Sequence, residues 1–265
     1  MLSVEKWLEG KICMVTGAAR GMGKALAMKY AEHGANVVLM DVNKESVEAA
    51  AKEIEALGVQ ALPLKVDVTS SLEINHALDE VESRFTAIDV LANCAGISTS
   101  SLILDVEEEE WDRVFNVNLK SVYLLSRRVA KNMINNNVKN GKIITISSQA
   151  SKIGELGNGP YSASKAGVNS LTQVLGLELA EYGIAVNAVC PGYVNTEMIQ
   201  QVFQKRGPIE GMTPKEYEET LTSQVPMKRM AEPEEIAEFM LFLSSEKANY
   251  ITGVSLTIAG GKTII

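Results

Sequence analysis

The sequence is short of cysteine, histidine, positive charge and long apolar runs, and each shortage excludes something. Its three cysteines, Cys13, Cys94 and Cys190, are odd in number and far apart, which argues against a disulfide framework. Two histidines, His33 and His76, and no paired cysteines leave no His/Cys zinc site of ordinary spacing, so no metal is expected. No run of about 18 apolar residues occurs, so nothing is expected to span a membrane. Residues 1–11 carry Glu5, Lys6, Glu9 and Lys11 where a signal peptide would need an apolar core. Lys plus Arg is 25 against 33 Asp plus Glu, a net charge of −8, which repels phosphate backbones and speaks against nucleic-acid partners. The expected setting is reducing and cytoplasmic.

What is present is a 265-residue chain, 46% hydrophobic and 22% charged, long enough for a sizeable core without staples. Short apolar runs at 11–16, 35–41, 61–67, 88–93, 142–147, 184–190 and 254–258 read as strands buried on both faces, because they lack alternation and end in small or polar residues. Helical stretches lie between them. Ser70 and Glu73 have capping-box spacing, Asp105 can cap a helix running through Trp111, and Pro233 suits the first turn of a helix ending near Ser244. Glu107–Glu110 reads as a solvated helix start, and His33 and His76 as surface residues. Strand and helix alternate with no linker or repeat, which predicts one α/β domain over 1–265. The expected fold is a Rossmann-type, doubly wound parallel sheet of about seven strands with helices on both faces. Segment 193–230 breaks the rhythm with Gly207, Pro208, Gly211 and Pro214, and reads as a lid inserted after the sixth strand.

Directly after the first strand stands Thr16-Gly17-Ala18-Ala19-Arg20-Gly21-Met22-Gly23, opening a helix over 24–33. Glycines there let the backbone turn and approach a pyrophosphate seated on the helix's unpaired N–H groups. The same pattern also suits a plain strand–helix turn. Asp41 ends the second strand where a carboxylate can accept both ribose hydroxyls of an adenosine, and it would face the 2′-phosphate of NADP. Arg20 points the other way, as a cation near that phosphate, but Val42 stands where a second cation would help. NAD is the expected cofactor. The competing reading of Asp41 is a cap for the next helix.

Tyr161 and Lys165 lie four residues apart in a predicted helix, about 40° apart around its axis, and hence on one face. An ammonium beside a phenol favours the phenolate and is expected to lower the tyrosine pKa, so that Tyr161 can exchange a proton with an alcohol or carbonyl oxygen. Ser148, at the end of the fifth strand, could hold the same oxygen. Taken singly, these residues read equally well as helix packing, a solvated face and a strand-end cap.

With these motifs on the page, the sequence resembles the short-chain dehydrogenases/reductases over essentially its whole length. Thr16-Gly17-x-x-x-Gly21-x-Gly23 is similar to their cofactor loop. Asn93-Cys94-Ala95-Gly96 resembles their N-N-A-G turn with Cys94 in place of the second Asn. Asn118, Ser148, Tyr161 and Lys165 match their catalytic tetrad, and Pro191-Gly192-Tyr193-Val194-Asn195-Thr196 their P-G segment. The resemblance implies that Tyr161 is general acid/base, Ser148 polarises the carbonyl, Lys165 tunes Tyr161 and bonds the nicotinamide ribose, and Asn118 holds a relay water. It also implies that Asp67 and Val68 meet the adenine, Asn93 lies by the adenosine ribose, and Val194 and Thr196 hold the carboxamide. Hydride transfer between a secondary alcohol and NAD would follow, in a homotetramer built on helices over 111–133 and 161–181.

For the substrate, Gln149 and Glu155 on the loop after Ser148, with Tyr193 on the lid, could bond several hydroxyls. Such segments resemble members acting on polyols, sugars or hexitol phosphates, and that is the leading expectation. The lid's Tyr193, Met198, Phe203 and Met212 form an apolar set equally suited to a hydrophobic alcohol or to ordinary packing. The alternative is a 3-oxoacyl-(acyl-carrier-protein) reductase, against which stand Asp41, since such reductases usually take NADPH, and the acidic net charge. A local basic patch including Arg127 and Arg128 could still dock a carrier. A non-catalytic NAD-binding sensor is the reading from another class, disfavoured by the intact tetrad.

Overall fold

The computed structural model describes residues 5–264; residues 1–4 and 265, at the ends of the domain expected over 1–265, lie outside the described residues. The apolar runs become β1 (Ile12–Thr16), β2 (Asn36–Asp41), β3 (Ala61–Lys65), β4 (Val90–Asn93), β5 (Gly141–Ile146), β6 (Ile184–Pro191) and β7 (Ser255–Ile258). They form one parallel sheet in the order β3-β2-β1-β4-β5-β6-β7. The helices are α1 (Gly21–Glu32), α2 (Lys44–Glu55), α3 (Ser71–Phe85), α4 (Glu108–Phe115), α5 (Ser121–Asn135), α6 (Gly159–Leu179), α7 (Glu197–Ile209), α8 (Pro214–Gln224) and α9 (Pro233–Ser244).

The central strands are apolar on both sides because each side is covered, whereas the edge strand β7 is only half-buried. In β1, Cys13 and Val15 join α1, α2 and α9 through Leu26, Tyr30, Ile54 and Met240. Ile12 and Met14 join α3 and α5 through Leu78, Val81, Leu125 and Met133 on the opposite face. Burying each such side chain contributes about 1.5–3 kcal/mol, so both layers hold the sheet. The chain winds outward through β2 and β3, then crosses back to β4 beside β1. That reversal opens a crevice at the strands' carboxyl ends, between β1 and β4, where ligands of open α/β sheets bind.

Several local expectations need correction. Glu107, not Asp105, precedes α4; Asp105 lies in a short 3₁₀ turn, Ile103–Asp105. The helix expected over 111–133 is interrupted by a π-helical turn, Asn116–Lys120. Ser70 accepts from the Glu73 N–H at 3.2 Å as expected, but the Glu73 carboxylate accepts from the Asp67 N–H at 2.9 Å rather than returning to Ser70. His33 is half-buried, its ring 5.3 Å from that of Trp7. Pro233 does open α9, which ends at Ser244. The segment over 193–230 holds α7 and α8, which pack together through Phe203 and Tyr217, rings 6.2 Å apart.

Candidate active site

The glycine loop fits a dinucleotide. Gly17 and Gly21 have φ of +64° and +56°, where a β-carbon is strained. A β-carbon on Gly17 would lie 2.9 Å from the Ala95 Cα, and one on Gly23 only 2.1 Å from the Gly17 oxygen, whereas Gly21 faces open space save for the Thr196 methyl at 3.7 Å. Arg20 occupies the N-cap of α1 without a side-chain cap, and no acidic residue stands in the first turn, so that helix end is left electropositive for a pyrophosphate. The β1 and β4 loops are tied together by Thr16, whose hydroxyl accepts from the Cys94 and Ala95 N–H groups, both at 3.1 Å.

Asp41 lies at the rim of this crevice. Its carboxylate accepts from the Ala19 N–H at 3.1 Å and the Asn43 N–H at 3.0 Å. Asn43, not Asp41, caps α2, so the carboxylate is oriented by the cofactor loop itself. Arg20 is paired with Glu197 at the start of α7. Asp67 is half-buried and accepts from the N–H and hydroxyl of Thr69, both at 2.8 Å, and Val68 is buried. The Asn93 side chain turns into the core instead, donating to Ser126 at 3.3 Å and Thr145 at 3.2 Å; any contact to an adenosine ribose there comes from its backbone. Cys94 is half-buried, its thiol pushed up to about 12 by burial.

Beside the crevice, α6 and the π turn bring the tetrad together. Lys165 is buried and donates to the Ile146 carbonyl at 2.7 Å, its Nζ 5.7 Å from the centre of the Tyr161 ring. Asn118, also buried, accepts from the Ile97 N–H at 2.9 Å and donates to the Ile97 carbonyl at 2.9 Å and to Ser164 at 3.2 Å. Its side chain therefore holds the β4 loop against α6. A β-carbon on Gly96 would stand 3.4 Å from Asn118 Oδ1 and 3.6 Å from Lys165 Nζ, so Gly96 leaves room where these meet. Ser148 and Tyr161 line the same cleft, and the serine hydroxyl acts to lower the phenol's pKa.

The tyrosine is not acidified as expected. Burial pushes the phenol up to about 12, with Glu155 adding to the rise, and the Ser148 hydroxyl and Arg206 only partly offsetting it. Burial also drives the Lys165 ammonium down to about 8, against smaller opposing influences of Cys94 and Cys190. Both shifts favour the neutral forms, which leaves Tyr161 protonated at neutral pH and suited to donate its proton.

The substrate cleft is open at its mouth. Met22, Pro191, Gly192, Val194 and Thr196 line its cofactor side, and Ser148 and Tyr161 its floor. Gly192 must be glycine, since a β-carbon would meet the Ala259 Cα at 2.9 Å. Tyr193 and Met198 reach the cleft, while Phe203 is buried between α7 and α8. Gln149 and Glu155 also line it, but neither is free. Glu155 accepts from Gln149 at 3.1 Å, from Asn158 at 3.1 Å and from Arg206 at 3.4 Å. Sequence reading missed Arg206, Asn158 and Thr99. Arg206 is only 5% exposed and follows Val202 and Phe203 at helical spacing, so a cation continuing a buried stripe was the available signal.

The patch imagined around Arg127 and Arg128 is weaker than expected, because Arg128 is held by Glu82 and Asp79. Among the described residues, no group of three or more His, Cys, Asp or Glu is placed to hold a metal, and no helix is long and apolar enough to cross a membrane.

Comparison with known proteins agrees with this geometry. The family described as enoyl-(acyl carrier protein) reductase matches residues 17–263. The 3-oxoacyl-(acyl-carrier-protein) reductase FabG of Thermotoga maritima is 39% identical over 97% of this chain and 99% of its own. The (2S)-((R)-hydroxy(phenyl)methyl)succinyl-CoA dehydrogenase subunit BbsD of Thauera aromatica is 34% identical over 97% of this chain and 98% of its own. Among solved structures, a short-chain type dehydrogenase/reductase from Mycobacterium marinum matches with TM-score 0.88 and 33% identity, covering 97% of both chains. A protein from Agrobacterium tumefaciens provisionally named a gluconate dehydrogenase matches with TM-score 0.90 and 30% identity, over 99% of this chain and 100% of that one. A parallel seven-stranded sheet, a glycine-lined crevice and the Asn118, Ser148, Tyr161, Lys165 group thus belong to a member of the short-chain dehydrogenase/reductase family, an oxidoreductase that works on CH–OH groups with a nicotinamide cofactor.

Proposed function

We propose that the protein interconverts the 3-oxo and 3-hydroxy forms of an acyl thioester, with NAD as cofactor. The observation that carries the reaction type is the meeting of Ser148 and Tyr161 on the floor of one cleft, backed by the buried Lys165 and Asn118, beside the glycine-lined crevice. The substrate class rests on the names of the relatives, since FabG is named for a 3-oxoacyl thioester and BbsD for a hydroxylated acyl-CoA. The bound nicotinamide would supply or accept the hydride. Tyr161 gives its proton to the carbonyl oxygen in reduction and takes it back in oxidation, while Ser148 holds that oxygen. Lys165, held by the Ile146 carbonyl, would bond the cofactor's ribose, and Asn118 keeps the β4 loop against α6.

NAD is favoured over NADP by Asp41, whose carboxylate is fixed at the rim where a 2′-phosphate would lie, and by Arg20, whose charge is already matched by Glu197. Pairing of Arg128 with Glu82 and Asp79 takes one of the two cations out of the patch that would dock an acidic carrier protein, which favours a small carrier. Exposed Tyr123, Val174 and Leu177 on α5 and α6 support a homotetramer assembled through those helices, and the three free cysteines fit a reducing cytoplasm.

A polyol or sugar substrate is the second reading, favoured by the polar end of the cleft at Gln149, Glu155, Asn158 and Arg206. A sugar phosphate fits less well, because Arg206, the cation among the described residues lining the cleft, already faces Glu155. The deciding experiment is initial rates with NAD(H) and NADP(H) across 3-oxoacyl thioesters, hexitols, pentitols and sugar phosphates. Thioester reduction with NADH should dominate. Faster oxidation of a hexitol would overturn the thioester reading, and no turnover at all would favour a sensor.

A further inference from the structure

At the end of the cleft away from the crevice, buried polar groups are left without partners. Arg206, on α7, donates from Nη1 to Glu155 at 3.4 Å and from Nη2 to the Thr99 carbonyl at 3.2 Å. Its Nε has no hydrogen-bond partner among the described residues, and neither does Asn158 Oδ1 or Thr99 Oγ1. All three residues are at least 95% buried. They belong to one neighbourhood: Arg206 touches Thr99, a β-carbon on Gly157 would lie 3.9 Å from Arg206 Nε, and Ser101 bridges to Asn158. The Tyr217 phenol stands beside the same guanidinium. A buried polar atom without a partner is costly, and such atoms are few in native proteins. Three such atoms on neighbouring residues, two of which line the substrate cleft while Thr99 stands behind them, point to an unfilled position at this end.

The chemistry of that group can be read from what is unmatched. Arg206 Nε is a donor, Asn158 Oδ1 an acceptor, and the Thr99 hydroxyl serves either way. The missing group must therefore both accept and donate. A carboxylate or phosphate cannot donate, and it would also face the Glu155 carboxylate across a few ångströms of poorly screened space. An ammonium cannot accept and would face Arg206. A neutral hydroxyl meets both demands.

We infer that Arg206, Asn158 and Thr99 form a specificity subsite for a hydroxyl that the substrate carries beyond its reacting carbon. The inference deepens the proposed function and rests on it only for the seat of the reacting carbonyl at Ser148 and Tyr161. Arg206 reaches this subsite from the lid, while Asn158 and Thr99 come from the loops that lead out of β5 and β4. The subsite is therefore complete only when lid and loops are together.

The test compares reduction of three ketones of equal length whose far ends are methyl, hydroxymethyl or carboxylate. Each is offered free and as an N-acetylcysteamine thioester, with both NADH and NADPH. The wild type should prefer hydroxymethyl over methyl by about tenfold or more in kcat/KM, the worth of one good hydrogen bond, and should disfavour carboxylate. In Arg206→Met and in Thr99→Val the hydroxymethyl-to-methyl ratio should fall toward one. A merely structural role would lower the rates on all substrates and leave that ratio alone. Thr99→Val is nearly isosteric and removes an unpaired hydroxyl, so its Tm should hold or rise, and it decides the matter if Arg206→Met does not fold. A wild-type ratio near one, a preference for carboxylate, or a ratio that survives in Thr99→Val would overturn the inference, leaving the atoms as hosts for enclosed water. The two proposals separate cleanly. Hydroxyl preference among the free ketones without thioester turnover supports the subsite and sinks the thioester reading; thioester turnover without hydroxyl preference does the reverse.

Discussion

The two ends of the cleft are held together in different ways. At the cofactor end backbone lies on backbone: Gly17 against Ala95, Gly23 against the Gly17 carbonyl, and Thr16 receiving two N–H groups from the neighbouring loop. At the substrate end side chain meets side chain across long stretches of sequence. Arg206 grips Thr99 from 107 residues away, and Thr263 donates to Gln149 from 114 residues away, at 3.1 Å. The first end has no room to vary, whereas the second can be re-specified one side chain at a time. That difference fits a scaffold that keeps its cofactor and changes its substrate.

Four substitutions would sharpen or break this contrast. Tyr161 stands where the two ends meet, so Tyr161→Phe should cost about 10²- to 10⁴-fold in kcat while cofactor affinity, measured by nicotinamide fluorescence titration, holds. Retained turnover would remove the proton-transfer role. Gly23→Ala drives a β-carbon to 2.1 Å from a backbone oxygen that cannot yield. It should lower stability by about 1–3 kcal/mol in urea unfolding and weaken cofactor binding for every substrate alike. An unchanged midpoint would show that the backbone end is softer than its contacts suggest. Asp41→Asn keeps the reach to the Ala19 N–H but drops the charge, and should shift the NAD-to-NADP ratio of kcat/KM by about tenfold toward NADP. A wild type that already prefers NADP would end the argument from Asp41.

The smallest effect is electrostatic. The Glu155 charge helps to raise the Tyr161 phenol, so Glu155→Gln should let the phenol ionise at lower pH. For alcohol oxidation, which needs the phenolate, the rising alkaline limb of kcat/KM should move down by less than about one pH unit. A shift the other way, or none with Arg206 intact, would mean that Glu155 acts only through its hydrogen bonds.

The glycine loop and the Tyr161–Lys165 pair could be read from sequence because local geometry writes them there, whereas Asn118 entered only through the resemblance to a family. A turn that tolerates no β-carbon demands glycine at fixed spacing, and two side chains that must share one helical face demand positions 161 and 165. The sheet was legible for a similar reason, since strands covered on both faces become uninterrupted apolar runs. The substrate end was not legible. Nothing near Glu155 in sequence announces that Arg206 will neutralise it, because that pairing depends on where α7 docks. The acidity of Tyr161 was misjudged because spacing shows a neighbouring ammonium but not burial, which here drives tyrosine and lysine toward their neutral forms. Asn93 looked like a cofactor contact for want of any sign that its amide would turn toward Thr145.

The π turn at Asn116–Lys120 has a consequence for how length is tolerated between α4 and α5. Such a turn behaves as one residue inserted into an otherwise regular helix, so the helices on either side differ in phase by about 100°. Deleting one residue there would therefore let the turn close to a regular α-helical one with Tyr123 and Arg127 still facing outward, so the cost would fall on Asn118, which the bulge carries.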